Sequence, residues 1–295
     1  MKKLFILLLL LGVASSALAD TVDWWDLYTP APGQTSRDRD WFNPANWVWG
    51  TNTSPPPGVP TAASEVRMHR TLGAPYDLTA IIATGSPYDA SGNAFASVIN
   101  IGGTGLSNGG LPLGQLTINS GSLTVGNGLR VGGSSSSKRS GELFVNGGII
   151  NAPSYLAVGY GPSAGGTSGW MYMIAGDVNV GTFDIGRVAG TNGYADISGG
   201  TIYANDFRMR PAGGTGTVSL NLSGTGKIII NGDKTQVVEG PDNDLLDWID
   251  NGWINPEVLY DYDISNPGKT TLYVPEPATV CLLGIGALSL LRRKK

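Results

Sequence analysis

The stretch that decides the fold is Leu143-Phe144-Val145-Asn146-Gly147-Gly148-Ile149-Ile150-Asn151-Ala152, in which every second side chain on either side of Gly148 is apolar or small. Alternation with a period of two is typical of a strand with one buried face. The pattern returns at intervals of 27, 28, 24 and 26 residues, around Gly121, Gly148, Gly176, Gly200 and, with a one-residue slip before the glycine, Gly226. A glycine that returns in this way indicates a repeat whose corners need a positive φ.

A further short alternating segment follows each of the first four glycine patterns, at Leu129–Gly132, Leu156–Gly159, Phe183–Gly186 and Phe207–Met209, and Ile99–Gly102 fits the same place in an earlier repeat. Each unit of about 26 residues therefore carries three short strands, as one coil of a parallel β-helix requires. We predict an all-β fold, a single-stranded right-handed parallel β-helix (solenoid), because parallel crossovers are overwhelmingly right-handed. A jelly roll is the alternative, but it would not return the same glycine at this interval.

The N-terminus has the pattern of a secretory signal peptide. Lys2-Lys3 precede the apolar run Leu4–Val13, and small residues close the segment at Ser15-Ser16-Ala17-Leu18-Ala19. This three-part order predicts export and cleavage after Ala19. The mature body then begins at residue 20.

The C-terminal 22 residues form a second three-part segment. Val274-Pro275-Glu276-Pro277 leads into the uncharged stretch Ala278–Leu291, and the chain closes on Arg292-Arg293-Lys294-Lys295. Fourteen helical residues span about 21 Å, short of a hydrocarbon core of about 30 Å, but the four cations can reach the headgroups and fix their flank inside. We therefore expect a hydrophobic helix that holds the chain in the membrane. A buried core helix is the alternative, although the stretch has no polar face.

This order resembles the PEP-CTERM sorting tail of exopolysaccharide-producing bacteria with a Gram-negative-type envelope. The resemblance implies a protein that is exported, held transiently in the inner membrane by its tail, and cut near Pro-Glu-Pro by an exosortase, its expected partner. It also implies a final place at the cell surface or in the extracellular matrix, in association with exopolysaccharide and biofilm.

The coils and the segment before them carry a second resemblance. Trp41-Phe42-Asn43-Pro44-Ala45-Asn46-Trp47 is followed by Gly58-Val59-Pro60 and Glu65-Val66-Arg67-Met68. Together with the coils, this opening resembles the β-helical body of autotransporter-like and pectate-lyase-like surface proteins. The resemblance covers about residues 40–230 and implies a fold rather than an activity.

These segments divide the chain into a signal peptide at 1–19, an aromatic-rich N-terminal cap with the first strands at 20–75, the β-helix coils at 76–232, a C-terminal cap at 233–273 and the sorting tail at 274–295. In the C-terminal cap we predict a helix within 244–252 and a final strand at 270–273. The N-terminal cap holds three candidate glycan-stacking side chains, Trp41, Trp47 and Trp49. The alternative for these rings is an aromatic plug over the first coil.

Composition excludes several kinds of site and partner. Cys281, in the tail, is the only cysteine, so the body has neither a disulfide nor a cysteine-based metal site. Without the leader and the tail, 13 basic residues face 22 acidic ones, and this net charge near −9 argues against nucleic acid as a partner. His69 is the only histidine, which excludes a histidine triad and a multi-histidine metal site.

No catalytic constellation is visible in the sequence. The predicted outward positions of the third strand, Arg130, Ala157, Asp184 and Arg208, alternate in charge, as on a solvated face with weak ion pairs. The acidic run within 233–250 could attract calcium, but it lacks the spacing of a calcium loop, so we expect no metal or other cofactor. We expect a non-catalytic structural or adhesive scaffold that contacts polysaccharide. The alternative is a polysaccharide lyase or glycoside hydrolase on the flank of the β-helix.

Overall fold

The computed structural model describes residues 21–24, 39–49, 59–68, 80–102, 113–132, 140–161, 167–209, 215–236 and 244–275 of the 295-residue chain. The predicted signal peptide, His69 and residues 276–295 of the predicted tail lie outside these ranges, as does the side chain of Trp49. Within them the chain is nearly all β, with one short α-helix.

The strands are β1 (Thr21–Trp24), β2 (Trp47–Trp49), β3 (Glu65–Met68), β4 (Ala80–Ile82), β5 (Asn93–Ile101), β6 (Leu113–Ile118), β7 (Ser122–Val131), β8 (Ser140–Val145), β9 (Ile149–Val158), β10 (Ser168–Met173), β11 (Asp177–Ile185), β12 (Asn192–Ile197), β13 (Thr201–Met209), β14 (Val218–Leu222), β15 (Lys227–Asn231), β16 (Leu259–Tyr262) and β17 (Lys269–Tyr273). A 3-10 turn at Pro44–Asn46 precedes β2, and the helix α1, Leu245–Asp250, lies between β15 and β16.

Two sheets run along the molecule. Sheet A has the order β16-β17-β15-β13-β11-β9-β7-β5-β3-β1-β2, and sheet B has the order β14-β12-β10-β8-β6-β4. From β3 to β15 in sheet A, and throughout sheet B, neighbouring strands are parallel. From β3 to β15, consecutive strands alternate between the sheets, so each coil contributes one strand to each. The prediction of an all-β solenoid is confirmed, and its right-handed winding stays a prediction.

The second and third strands predicted for each coil are one long strand in the structure. Strands β7, β9, β11 and β13 have nine or ten residues each. Pairing between β9 and β11 shifts register between Val180 and Thr182, so the inward side chains are Val178 and Val180 before the shift and Phe183 and Ile185 after it. The prediction of three separate strands was wrong because a bulge bends a strand without ending it.

The inward side chains of both sheets form one apolar core. Equivalent residues of consecutive coils lie one above another, and Ile150, Val178 and Ile202 are in register in sheet A and fully buried. Further along the same strands, the rings of Phe183 and Phe207 stack with centroids 5.6 Å apart. Because each inward row contacts the coils on either side, a polar group placed in it has no direct route to water.

The repeating glycines form corners between the sheets. Gly148 and Gly176 have φ values of 74° and 93°. A Cβ on Gly176 would lie 2.5 Å from the carbonyl oxygen of Gly148 in the adjacent coil. Both the backbone conformation and the close approach require glycine, which explains why the residue returns once per coil. The last repeat differs, because its positive φ of 55° belongs to Gly224 rather than Gly226.

Trp41 and Trp47 close the N-terminal end of the core. Both side chains are fully buried, and their rings meet edge to face with centroids 4.7 Å apart. The Trp47 Nε1 group donates a hydrogen bond of 2.7 Å to the Trp41 carbonyl oxygen. A candidate role in glycan stacking is therefore wrong for these two residues, because a buried ring offers no face to a sugar. The structure supports the aromatic plug instead.

A short helix and an antiparallel strand pair close the other end. The Asp244 side chain accepts a hydrogen bond from the Asp247 backbone amide and caps α1, and Trp248 packs edge-on against Phe207 with centroids 5.2 Å apart. Strand β17 pairs antiparallel with both β15 and β16. The predicted helix and final strand are confirmed, whereas β16 was not predicted. Over the ranges given above, no helix is long and apolar enough to cross a membrane.

Candidate functional site

The outer side of sheet B carries an aromatic surface. Because side chains alternate along a strand, β10 turns Trp170 and Tyr172 outward while Met171 and Met173 are buried. Neighbouring strands add Phe144 from β8 and Tyr194 from β12, also at outward positions. The four outward rings, called the aromatic face below, are Phe144, Trp170, Tyr172 and Tyr194.

The rings of the aromatic face form two stacks along the solenoid. Phe144 and Tyr172 are in register on adjacent strands, with centroids 5.2 Å apart and planes 15° from parallel. Trp170 and Tyr194 are paired in the same way, at 5.8 Å and 13°. Each ring packs one face on its partner, and the other face borders the next strand. There the register places smaller side chains, which are Thr117 beside Phe144, Asp196 beside Tyr172, Glu142 beside Trp170 and Ser219 beside Tyr194.

Polar groups border the aromatic face. Asp196 accepts a hydrogen bond of 3.2 Å from Asn221, and Glu142 accepts one from Gln115. Burial raises the pKa of Tyr172, and the charges of Glu142 and Asp196 raise it further. The described outward positions of β6, β8, β10, β12 and β14 hold these two carboxylates and neither lysine nor arginine. The surface therefore combines apolar rings with hydrogen-bond acceptors and has a negative charge.

A cleft runs along the outer side of sheet A. It has a volume of about 420 Å³ and crosses the strands from β7 to β17. Within it the Asn179 amide donates to Asn151 at 3.0 Å, and the Asn231 amide donates to Asn205 at 2.5 Å. Tyr203 lies in register with Asn179 and is 39% exposed. The residues called the amide cleft below are Asn151, Asn179, Tyr203, Asn205 and Asn231.

The second half of the long strands and the residues directly after them carry a cluster of arginines and tyrosines. Arg130 Nε donates to the Tyr155 hydroxyl at 2.6 Å, and the Arg130 guanidinium lies 4.7 Å from the centroid of the Tyr160 ring. Arg187 lies 4.0 Å from the centroid of the Tyr155 ring and donates to Asp184 Oδ2 at 2.6 Å. Cation–π contacts of this kind contribute about 0.5–2 kcal/mol each, so the cluster helps to hold adjacent coils together.

Two carboxyl groups near this cluster have opposite pKa shifts. Asp184 is 3% exposed, and burial raises its pKa even though Arg187 and Arg208 act to lower it. Burial also acts to raise the pKa of Asp206, but hydrogen bonds from Lys234 and Arg208 outweigh it and hold the pKa below the ordinary value of 3.8. The prediction of a solvated row of charges is wrong at Asp184, because the side chain is buried and paired with Arg187.

Two members of the acidic run in the C-terminal cap, Asp233 and Asp244, are engaged in local hydrogen bonds. Asp233 accepts hydrogen bonds from Thr235 and Gln236, which lower its pKa, and Asp244 caps α1. Glu239 and Asp242 lie outside the described ranges. Inside those ranges, no three His, Cys, Asp or Glu side chains are grouped in a way that could hold a metal ion. The expectation of no metal and no cofactor stays a prediction.

The segment after β17 carries the sorting signal of the protein. Val274 packs against the core directly after this strand, and the chain continues through Pro275-Glu276-Pro277 into the apolar stretch and the four terminal cations. Residues 274–295 match the PEP-CTERM protein-sorting motif. The motif implies an exported protein that is sorted through the membrane and processed by an exosortase. No curated protein and no solved structure matches the chain, so the autotransporter-like or pectate-lyase-like body stays a prediction.

Proposed function

We propose that the protein is an exported, non-catalytic scaffold of the cell surface or extracellular matrix that holds neutral polysaccharide on the aromatic face. This proposal rests on the two ring stacks on the outer side of sheet B. An aromatic ring beside hydrogen-bond acceptors suits a sugar, since a sugar presents C–H groups on its faces and hydroxyl donors at its rim. Glu142 and Asp196 disfavour acidic sugars, because like charges repel at this range.

The solenoid gives this surface a fixed geometry. Trp170 and Tyr172 stand on a strand that is paired on both sides, with their neighbours one strand away at a spacing of about 4.8 Å. Binding therefore costs little ordering of the protein, which favours affinity for an extended polymer. The PEP-CTERM tail supports the export of this scaffold, and exosortase processing would release it from the membrane to the surface or matrix.

Binding and chemistry can be measured together. The full-length chain, purified in mild detergent, would be incubated with two neutral polymers, galactomannan and mixed-linkage β-glucan, and two acidic ones, alginate and polygalacturonate. We expect retention on at least one neutral polymer, weaker retention on both acidic ones, and no new reducing ends or unsaturated products. Preference for the acidic polymers, or no retention on any of the four, would contradict the proposal.

A second candidate function is glycoside hydrolysis by Asp184 and Asp206. Hydrolases of this kind need one carboxyl group that keeps its proton and one that is ionised. The raised pKa of Asp184 suits the first role, and the lowered pKa of Asp206 suits the second. Against this function, Asp184 is buried beneath an ion pair with Arg187, and Asp206 is bound by Arg208 and Lys234. These contacts occupy Asp184 Oδ2 and both carboxylate oxygens of Asp206, which a sugar would need to reach.

The same incubation separates the two functions. If the scaffold proposal is correct, the wild-type chain and Asp184→Asn leave the polymers equally intact over several days. Release of reducing ends by the wild-type chain that Asp184→Asn abolishes would establish the hydrolase instead.

A further inference from the structure

We infer that the amide cleft is a second polysaccharide site, so that one molecule can hold two chains and cross-link them. The evidence that the amide cleft binds polysaccharide comes from its own residues and shape, and it is independent of the aromatic face. Cross-linking rests in addition on the proposed function, because it needs both surfaces.

The groups that line the amide cleft suit a polymer rich in hydroxyls. An asparagine amide has two donor hydrogens and two acceptor lone pairs. The bond from Asn179 to Asn151 uses one donor hydrogen and one lone pair, as does the bond from Asn231 to Asn205. Spare donors and acceptors therefore repeat along the cleft, which matches hydroxyls that both give and accept hydrogen bonds. Tyr203 adds an exposed ring within the same row.

The cleft follows the solenoid and has room for an extended chain. One row of its lining passes through five successive strands, at Thr124, Asn151, Asn179, Tyr203 and Ile229. Four steps of about 4.8 Å give a length of about 19 Å, enough for several linked sugars. Its volume of about 420 Å³ also lies within the usual range of about 300–1,000 Å³ for ligand sites.

Other polymers fit the cleft less well. A peptide that binds as an added strand needs an open sheet edge, whereas β9, β11 and β13 are paired on both sides. A nucleic acid needs several cations along its path, and the described lining contains one, Lys269. None of the lining residues that the structure describes is a carboxylate, so the cleft and the aromatic face differ in charge as well as in shape.

The two surfaces can be occupied at once. The aromatic face belongs to sheet B and the amide cleft to sheet A, and the inward sides of these sheets share one core. Their outer sides therefore point away from each other. The surfaces have no residue in common, so a chain on one does not obstruct the other.

A bridging assay tests this inference on the full-length chain in mild detergent. Protein is captured on immobilised galactomannan or mixed-linkage β-glucan, unbound material is washed away, and the same polymer with a fluorescent label is added. The cleft variant is Asn179→Ala with Tyr203→Ala, and Asn179→Asp with Tyr203→Ser is a second, more conservative variant. Thr201→Ala is the matched control, because Thr201 is on the same strand as Tyr203 but outside the cleft. Trp170→Ala with Tyr172→Ala removes half of the aromatic face.

We expect both cleft variants to be captured through the aromatic face but to bind at least fivefold less labelled polymer than wild type and Thr201→Ala. Bridging by the cleft variants at the wild-type level would overturn the inference. If the aromatic-face variant is captured like wild type while the cleft variants are not captured, the cleft is a polysaccharide site, and the proposed role of the aromatic face fails together with cross-linking between the two surfaces. Wild-type capture and bridging by all variants would reject both surfaces.

Discussion

The inward register of sheet A can be tested by placing the same carboxyl group on either side of one strand. Val178→Asp places it in the core, where Val178 is fully buried between Ile150 and Ile202. Asn179→Asp places it one residue further along, on the outer side, where Asn179 is exposed and bonded to Asn151. The second change is nearly isosteric, and it replaces the amide that donates to Asn151 with a carboxylate on the exposed side of the strand.

The expected costs differ several-fold. Loss of the buried valine costs about 1.5–3 kcal/mol. Keeping a carboxyl group with an ordinary pKa of about 3.9 protonated at pH 7 costs about 4 kcal/mol more, at about 1.36 kcal/mol per pH unit. The sum of about 6 kcal/mol is comparable with the whole stability of a typical domain, about 5–15 kcal/mol. For Asn179→Asp we expect a loss of less than about 1 kcal/mol, as for most surface substitutions.

Thermal unfolding at pH 7, followed by circular dichroism, measures the difference. A loss of 1 kcal/mol lowers the Tm of a domain of this size by about 2–4 °C. Val178→Asp should therefore lower the Tm by at least about 12 °C or abolish the cooperative transition, whereas Asn179→Asp should lower it by less than about 4 °C. Val178→Thr, which replaces one methyl group of the core row with a hydroxyl, should fall between them. Equal shifts for the two aspartate variants would refute the register.

Three other changes test the corners, the ion pairs and the tail. Gly176→Ala should cost at least about 2 kcal/mol of unfolding free energy, because it combines a positive φ with a clash. Gly85→Ala should cost only about 1–2 kcal/mol, because Gly85 has a φ of 81° but no atom lies within 4 Å of the added Cβ. Chemical denaturation would show the order of the two costs, and the reverse order would count against the corner geometry. Asp206 has a lowered pKa in the folded protein, so its ionised form stabilises the fold above the unfolded pKa, and this contribution is lost as the pH falls through the folded pKa. The stability difference between wild type and Asp206→Asn should therefore be constant from pH 5 to 7 and shrink below pH about 3.8, and a difference that grows on acidification would contradict the assignment. Replacement of residues 275–277 by alanine should leave an uncut, membrane-bound precursor on immunoblots of fractionated cells, and normal processing of this variant would argue against sorting by the PEP-CTERM tail.

The solenoid could be predicted because its physical causes are local and repeat. A corner such as that of Gly148 or Gly176 needs a glycine for its backbone conformation, and the alternation around the glycine records which side chains are buried. The continuity of the long strands was harder to predict. A one-residue register shift near Gly181 looks like a turn in the sequence, although pairing with the next coil continues through it.

The candidate site was only partly accessible from the sequence. The density of tryptophans near residue 40 drew attention to Trp41 and Trp47, but aromatic density does not distinguish a plug from an exposed surface. A positional signal for the aromatic face did exist. Trp170 and Tyr194 each stand six places before a corner glycine, and Phe144 and Tyr172 each stand four places before one. The amide cleft and the burial of Asp184 could not be predicted, because both depend on side chains from several coils.

Isothermal titration of the full-length chain with mixed-linkage β-glucan or galactomannan fragments measures whether the aromatic face holds neutral polysaccharide. The variant is Trp170→Ala with Tyr172→Ala, and the control is Phe95→Ala, which removes an exposed ring of sheet A, 44% accessible, outside both surfaces. We expect the double variant to lose at least tenfold in affinity, about 1.4 kcal/mol, while its Tm stays within a few degrees of wild type. Phe95→Ala should bind the fragments as wild type does. Equal affinities for wild type, the double variant and Phe95→Ala would contradict binding by the aromatic face.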